Sequence, residues 1–375
     1  MRTHLIIAAL FVTVLLSNTD CARHETGPVT IGAVLELTGD GAELGQDAQR
    51  GIQVASELVN GKGGVRGRKI QVLFEDSESK PEKAVSALQK LITVDKVHVV
   101  IGALFSSSTL AMAPIAERNG VVLISPGSSN PKLSEAGDFI FREYPSDTYE
   151  GTITADYMWK KMDIKTVAIL YVDTDYGQGL RDVFRRRYLS LGGSISIEES
   201  YEQGSTDFRT QLSKIKQKKT QWIYMPGYYS EVAKAMAQAR QLGANSRFFS
   251  NIGAADPKLF EIGKGAVDGL LITAPKLDLA SGDSLTTDFL KSFEARFNRT
   301  PGFPAAYAFD TMLLVAEAMK RKGFDGVEIK QGLYSIKDFP GVTGKTTFDR
   351  NGDVIKEFIV EVARGDKFER FDTVD

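Results

Sequence analysis

Two short apolar runs, each ending abruptly in a cluster of small hydroxyl residues, constrain this chain more than any other feature. The first reads IGALFSSST from Ile101 and the second LISPGSSNPKL up to Leu133. Val99–Ile101 and Val121–Ser125 have the unbroken apolar character of strands buried on both faces, and Leu110–Arg118 between them has helical apolar spacing. A strand–helix–strand unit of this kind builds a parallel sheet. In parallel α/β sheets, ligands sit just beyond the carboxyl ends of the strands. The hydroxyls of Ser106–Thr109 and Ser128–Ser129 are therefore expected to converge at one crevice. Hydroxyl and amide donors beside a helix start near Ser107 suit a carboxylate. Ser and Thr are also favoured as helix caps and in turns. Capping accounts for one such cluster; two clusters on successive strands point to a site.

The same alternation runs along the chain. Val29–Leu35 reads as a strand, Asp47–Asn60 as a helix, Lys69–Phe74 as a strand and Lys80–Val94 as an amphipathic helix. A second series follows Pro145. Its helices are Asp147–Lys161, Tyr176–Leu191, Phe208–Lys218 and Glu231–Leu242, and its strands are Thr166–Tyr171, Ser194–Ser200, Trp222–Met225 and Phe248–Ser250. Helices Ser284–Phe297 and Ala305–Arg321 come after Pro275. A chain of 375 residues exceeds one ordinary core. Two series of similar size and order predict α/β architecture in two doubly wound parallel-sheet lobes.

Several function classes are disfavoured by what the chain contains. The three histidines are His4, His24 and His98, and the one cysteine is Cys21. Cys–His catalysis and thiolate or poly-His metal sites therefore have no residues to build them, and no cofactor or metal is expected. There is no Gly-x-Ser-x-Gly elbow. A net charge of −2 and the absence of a long basic run argue against nucleic acid; Lys216–Lys219 reads as a solvated helix end. The run Gly39-Asp40-Gly41-Ala42-Glu43-Leu44-Gly45 is a near-match to a dinucleotide loop. Its last Gly falls one residue late, and Asp40 and Glu43 place negative charge where phosphates would lie. It reads instead as a loop at the mouth of the crevice.

Residues 1–21 read as a signal peptide: Arg2 and His4 precede the apolar stretch Leu5–Leu16, which is too short to span a bilayer comfortably. Cys21 stands where a bacterial lipoprotein carries its acylated residue, although Asn18-Thr19-Asp20-Cys21 departs from the Leu-x-small-Cys pattern. The expected location is the periplasm, with Cys21 a candidate lipid anchor.

Taken in order, IGAVLELTGDGAELGQDAQRGIQVA, NGKGGVRGRKIQVLFEDSES, IGALFSSST, LISPGSSNPKL, FREYPSDTYEG, DTDYGQGL, MPGYYSEVAKAMAQARQLG and FDRNGD resemble the type I periplasmic solute-binding proteins of the branched-chain amino acid transport group. The resemblance spans Val29 to Phe358. It implies a first lobe of residues 28–146 and 276–343, a second of 147–275 and 344–375, and a three-strand hinge that closes like a clamp. It implies a non-enzymatic monomer that binds a hydrophobic amino acid between the lobes and hands it to an inner-membrane ABC permease. Ser106 and Ser129 would hold the ligand carboxylate, with Ser128 alongside, and Gly127 would offer its carbonyl to the ammonium. Tyr176 and Tyr228 would cover the side chain from the second lobe. Leu44 falls where the family often has an aromatic lid. Asp147 falls at the first crossover, in a hinge or ligand role. Ile252 falls where α-amino acid binders commonly carry an acid for the ammonium. Unless Asp256, Asp147 or Asp175 substitutes, that departure suggests an alternative ligand, an aromatic or aliphatic carboxylate or short amide lacking the amine, for transport or sensing.

Overall fold

The computed structural model describes residues 27–374. The expected signal peptide and Cys21 lie outside the described residues. The first sheet contains strands β1 (Val29–Leu35), β2 (Ile70–Asp76), β3 (Val99–Gly102), β4 (Val122–Ser125) and β5 (Ile140–Arg142), in the spatial order β2-β1-β3-β4-β5. All its pairings are parallel. Every residue of β3 and β4 is buried, which is why these strands read as continuous apolar runs rather than alternating ones.

The second sheet contains β6 (Thr166–Val172), β7 (Ser194–Tyr201), β8 (Trp222–Tyr224), β9 (Arg247–Asn251) and β10 (Leu271–Pro275). After the small hairpin of β11 (Phe339–Gly341) and β12 (Gly344–Thr346), the chain adds β13 (Phe358–Arg364) and β14 (Lys367–Thr373) to it. Its order is β14-β13-β10-β9-β8-β6-β7. The parallel expectation needs one refinement. β13 runs antiparallel to β10, and β14 antiparallel to β13. A turn as short as the one after Arg364 can join only antiparallel neighbours.

Helices join the parallel strands. Ser106–Asn119 takes the first hydroxyl cluster as its opening turn and ends at Gly120, whose φ of 61° closes the helix in the left-handed region. Among the described residues, no helix is long and apolar enough to cross a membrane. Helix Phe303–Arg321 lies across helix Ala42–Gly61, returning the chain to the first sheet after β10. The crossing is close: a Cβ on Gly51 would sit 2.1 Å from the Ala305 carbonyl oxygen.

The chain passes between the sheets after β5, after β10 and before β13. Buried polar groups tie these passages together. Lys356 Nζ lies 2.6 Å from Glu143 Oε1, which also accepts from the Thr346 hydroxyl at 2.6 Å. Asp310 accepts the Val342 and Thr343 N–H groups at 2.9 and 2.8 Å. Burial, with the charge of Glu143 second, pushes the Asp310 carboxyl up to about 7. Such a pair carries a desolvation cost but fixes geometry, since removing either partner strands a buried charge.

Candidate ligand site between the lobes

The carboxyl ends of β3 and β4 bring the two hydroxyl clusters together. Ser106 Oγ accepts from the backbone N–H groups of Ser129 and Asn130 at 3.3 and 3.2 Å. Both serines are buried and line a cavity between the sheets. Having accepted two N–H groups, the Ser106 hydroxyl keeps its own proton to donate. The Ser129 N–H is engaged by Ser106, so the side chains are the donors available at this wall.

The rest of the cluster holds the wall rather than facing the cavity. Ser128, expected beside the ligand, is turned away. Its hydroxyl pairs with Thr109 Oγ1 at 2.7 Å and contacts the Ala103 and Leu104 carbonyls at 3.1 Å. Ser125 Oγ donates to Ala103 and accepts the Gly127 and Ser128 N–H groups at 3.2 and 2.8 Å. These are the local side-chain-to-backbone bonds that Ser and Thr make in turns. The loop after β4 has a second brace. The buried Arg142 guanidinium donates from Nη1 to the Ser129 and Asn130 carbonyls at 2.8 and 2.9 Å. Its Nε pairs with Asp353 at 2.7 Å. On the other side, Glu36 accepts the N–H groups of Leu104 and Phe105, each at 3.1 Å. Its burial pushes that carboxyl up to about 7, against the pull of those two bonds.

From the second lobe come Tyr176, which opens helix Asp175–Ser190 after β6, and Tyr228, which precedes helix Tyr229–Gln241 after β8. Tyr176, Tyr228, Ile252, Gly253, Gly127 and Leu44 line the same cavity as Ser106 and Ser129. The structure adds Leu104, Phe105, Tyr144, Phe303 and Pro304 to that lining. Phe105 and Tyr144 belong to motifs already singled out. Phe303 and Pro304 carry no signal, because a helix start after a proline-rich turn says nothing about which wall it joins. The cavity measures about 40 Å³. It is narrow because the lobes touch: Phe105 stacks on Tyr228 with ring centroids 4.6 Å apart, Lys258 pairs with Glu43, and the Asp175 N–H donates to Ser107 at 3.3 Å.

Acids stand behind the inner end. Asp147 is fully buried, its backbone N–H donates to the Ser129 carbonyl at 2.8 Å, and neither carboxylate oxygen has a hydrogen-bond partner. Burial first, and the nearby Glu150 second, push its carboxyl well above the usual range, while the Ser129 hydroxyl and Arg142 oppose this. Glu150, one turn along, accepts from Asn251 at 2.9 Å, Thr273 at 3.1 Å and the cavity-lining Tyr144 at 3.4 Å. Its burial pushes it up to about 7. The Tyr176 and Tyr224 hydroxyls are buried and unpartnered. Asp256 and Asp175 are occupied elsewhere. Asp256 caps helix Pro257–Gly263 through the Lys258 N–H at 2.8 Å, and Asp175 faces Lys132 at 3.4 Å. Among the described residues, no group of His, Cys, Asp and Glu is arranged to hold a metal.

Hydroxyl donors after the first sheet's strands and tyrosines after the second sheet's strands face each other across one cavity. The periplasmic binding protein family profile matches residues 28–364. The chain belongs to that family. It is 26% identical over 349 residues to the leucine-, isoleucine-, valine-, threonine- and alanine-binding protein of Pseudomonas aeruginosa, with 93% of each chain covered. The branched-chain amino acid transporter substrate-binding protein of Streptococcus pneumoniae, solved with isoleucine, has a TM-score of 0.85 and 31% identity. That match covers 92% of this chain and 99% of the other. A solute-binding protein of an ABC transporter from R. palustris, solved with benzoate, has a TM-score of 0.84 at 21% identity, covering 93% and 96%, and shows the shared fold. The chain is a solute-binding protein of the ABC-transporter type, in the branched-chain amino acid family, and not an enzyme.

Proposed function

We propose that the protein binds a hydrophobic α-amino acid, branched-chain or related, in the periplasm and delivers it as a monomer to an inner-membrane ABC permease. The observation that carries this reading is the meeting of Ser106 and Ser129 with Tyr176 and Tyr228 around one cavity. The two serine hydroxyls would take the carboxylate, where charge-assisted bonds offset its desolvation. Gly127 would offer its carbonyl to the ammonium. Asp147 and Glu150, buried behind the same wall without a cation of their own beyond Arg142, would be drawn into the ionised form by a ligand ammonium and so supply the negative charge that Ile252 does not. Leu44, Leu104 and Ile252 would meet the aliphatic side chain. Cys21, outside the described residues, would tether the chain to the membrane if acylated.

A second reading, a carboxylate or short amide lacking the amine, draws on Ile252 itself, an apolar side chain in the cavity wall. A thermal-shift screen followed by calorimetry with leucine, isoleucine, phenylalanine and benzoate tests both. Stabilisation by the amino acids is the expected result. Stabilisation by benzoate alone would replace the first reading with the second.

A further inference from the structure

The stacked pair Phe105–Tyr228 divides the space between the lobes. Both rings line the inner cavity, and both also line a second space open to solvent. That outer chamber holds about 340 Å³, against about 40 Å³ inside. An apolar cavity that admits benzene is nearer ~150 Å³, so a longer side chain must part the two rings. The chamber beyond them differs in chemistry from the inner cavity. Ser107, Ser108, Asp173 and Asp175 line it, and no lysine or arginine does. Lys132 reaches Asp175 from outside at 3.4 Å. Asp173 accepts from Gln178 at 2.7 Å and lines the chamber. The Ser108 hydroxyl is buried and has no hydrogen-bond partner.

We propose that the outer chamber is a second subsite, for a cationic, hydrogen-bond-donating group at the end of the ligand's side chain, and that Phe105 and Tyr228 gate it. Two carboxylates with no lining cation set a negative potential. The ring faces between which a side chain must pass favour a guanidinium or ammonium over an anion. Ser108 adds an acceptor that the protein itself leaves unused. The ligand class widens accordingly to α-amino acids with long basic side chains. This rests on the reading that the amino acid head group occupies the inner cavity.

The test is titration calorimetry with leucine, arginine and citrulline, the uncharged near-isostere of arginine. It uses the unmodified protein, Phe105→Ala and the double variant Asp173→Asn/Asp175→Asn, with unfolding temperatures confirming that each variant is folded. Arginine is expected to bind about fivefold more tightly than citrulline, the scale of a solvent-accessible ion pair. The double variant should erase that difference and leave leucine unchanged. Phe105→Ala should improve arginine relative to leucine. Equal binding of arginine and citrulline, or a difference that survives the double variant, overturns the subsite. Leucine separates the two readings. If leucine binds and arginine does not, the chamber fails alone. If arginine binds with the expected dependence and leucine does not, the hydrophobic preference fails and the chamber stands. If neither binds, both fall.

Discussion

The two walls of the cleft solve the same problem in opposite ways. On the first lobe the polar groups around the inner cavity are satisfied within the protein, the outward Ser108 hydroxyl excepted. Ser106 accepts two N–H groups, Ser125, Ser128 and Thr109 share the Ala103 carbonyl, and Arg142 and Glu36 clamp the loops on either side. On the second lobe and its crossover they are not. The Tyr176 and Tyr224 hydroxyls, Asn251 Oδ1 and both Asp147 oxygens are buried without partners. A buried polar group left unpaired costs about 1–3 kcal/mol. The first wall is thus built in advance, and the second completes its bonding with what it encloses. This predicts that the first lobe grips the ligand and that closure of the second is coupled to the ligand's chemistry, because pre-ordered groups lose little entropy on binding.

The heaviest blow to the first wall is Arg142→Ala. It removes the buried partner of Asp353 and both bonds to the Ser129–Asn130 carbonyls. Loss of one member of a buried ion pair costs about 3–5 kcal/mol. Denaturant unfolding should show a loss of that size, and calorimetry a loss of ligand binding. Arg142→Lys should recover only part of either, since an ammonium lacks the planar fork. Wild-type stability in the alanine variant would mean that the loop holds itself.

Ser129→Ala strikes the same wall without touching its brace. Losing a hydrogen bond to a charged group costs about 1.5–3 kcal/mol, or roughly 10- to 150-fold in affinity. The unfolding temperature should stay near that of the unmodified protein. Unchanged affinity would show that Ser129 does not hold the carboxylate.

The smallest effect belongs to the second wall and is read through pH. Burial holds Glu150 at about 7, above its ordinary value near 4.5. The folded protein keeps a proton through that window which the unfolded chain releases, so stability falls as pH rises from about 4.5 to about 7. Glu36 and Asp310 act in the same sense. Glu150→Gln should therefore make the slope of unfolding free energy against pH shallower without flattening it. A ligand ammonium favours the ionised carboxyl, so affinity in the unmodified protein should rise over the same window. A slope identical in the variant would show that Glu150 titrates normally.

The contrast between the walls also explains what the sequence could disclose. The first wall was legible because consecutive residues build it: IGALFSSST and LISPGSSNPKL each carry a strand, a turn and a helix start. Most strands and helices were legible for the same reason, with Val29–Leu35 and Ser284–Phe297 matching to the residue. β5 and β10 escaped because three and five fully buried residues are too few to carry a period, and β13 and β14 because their burial is mixed. Ser128 was misplaced because motif position does not say which of two adjacent hydroxyls turns inward. Glu150 escaped because it sits one helical turn after Asp147 and its partners Asn251 and Thr273 are more than a hundred residues away. Glu36 and Arg142 act on loops from other strands, and nothing local marks an acid or arginine as buried.

The central claim is that the unsatisfied second wall and its buried acids recognise an ammonium although Ile252 stands where an acid is common. Paired calorimetric titrations of leucine and its deaminated acid, on the unmodified protein and on Asp147→Asn, test it most directly. Leucine should bind at least about tenfold more tightly than the deaminated acid, and Asp147→Asn should remove most of that preference. Equal affinity for the two ligands in the unmodified protein would contradict the claim.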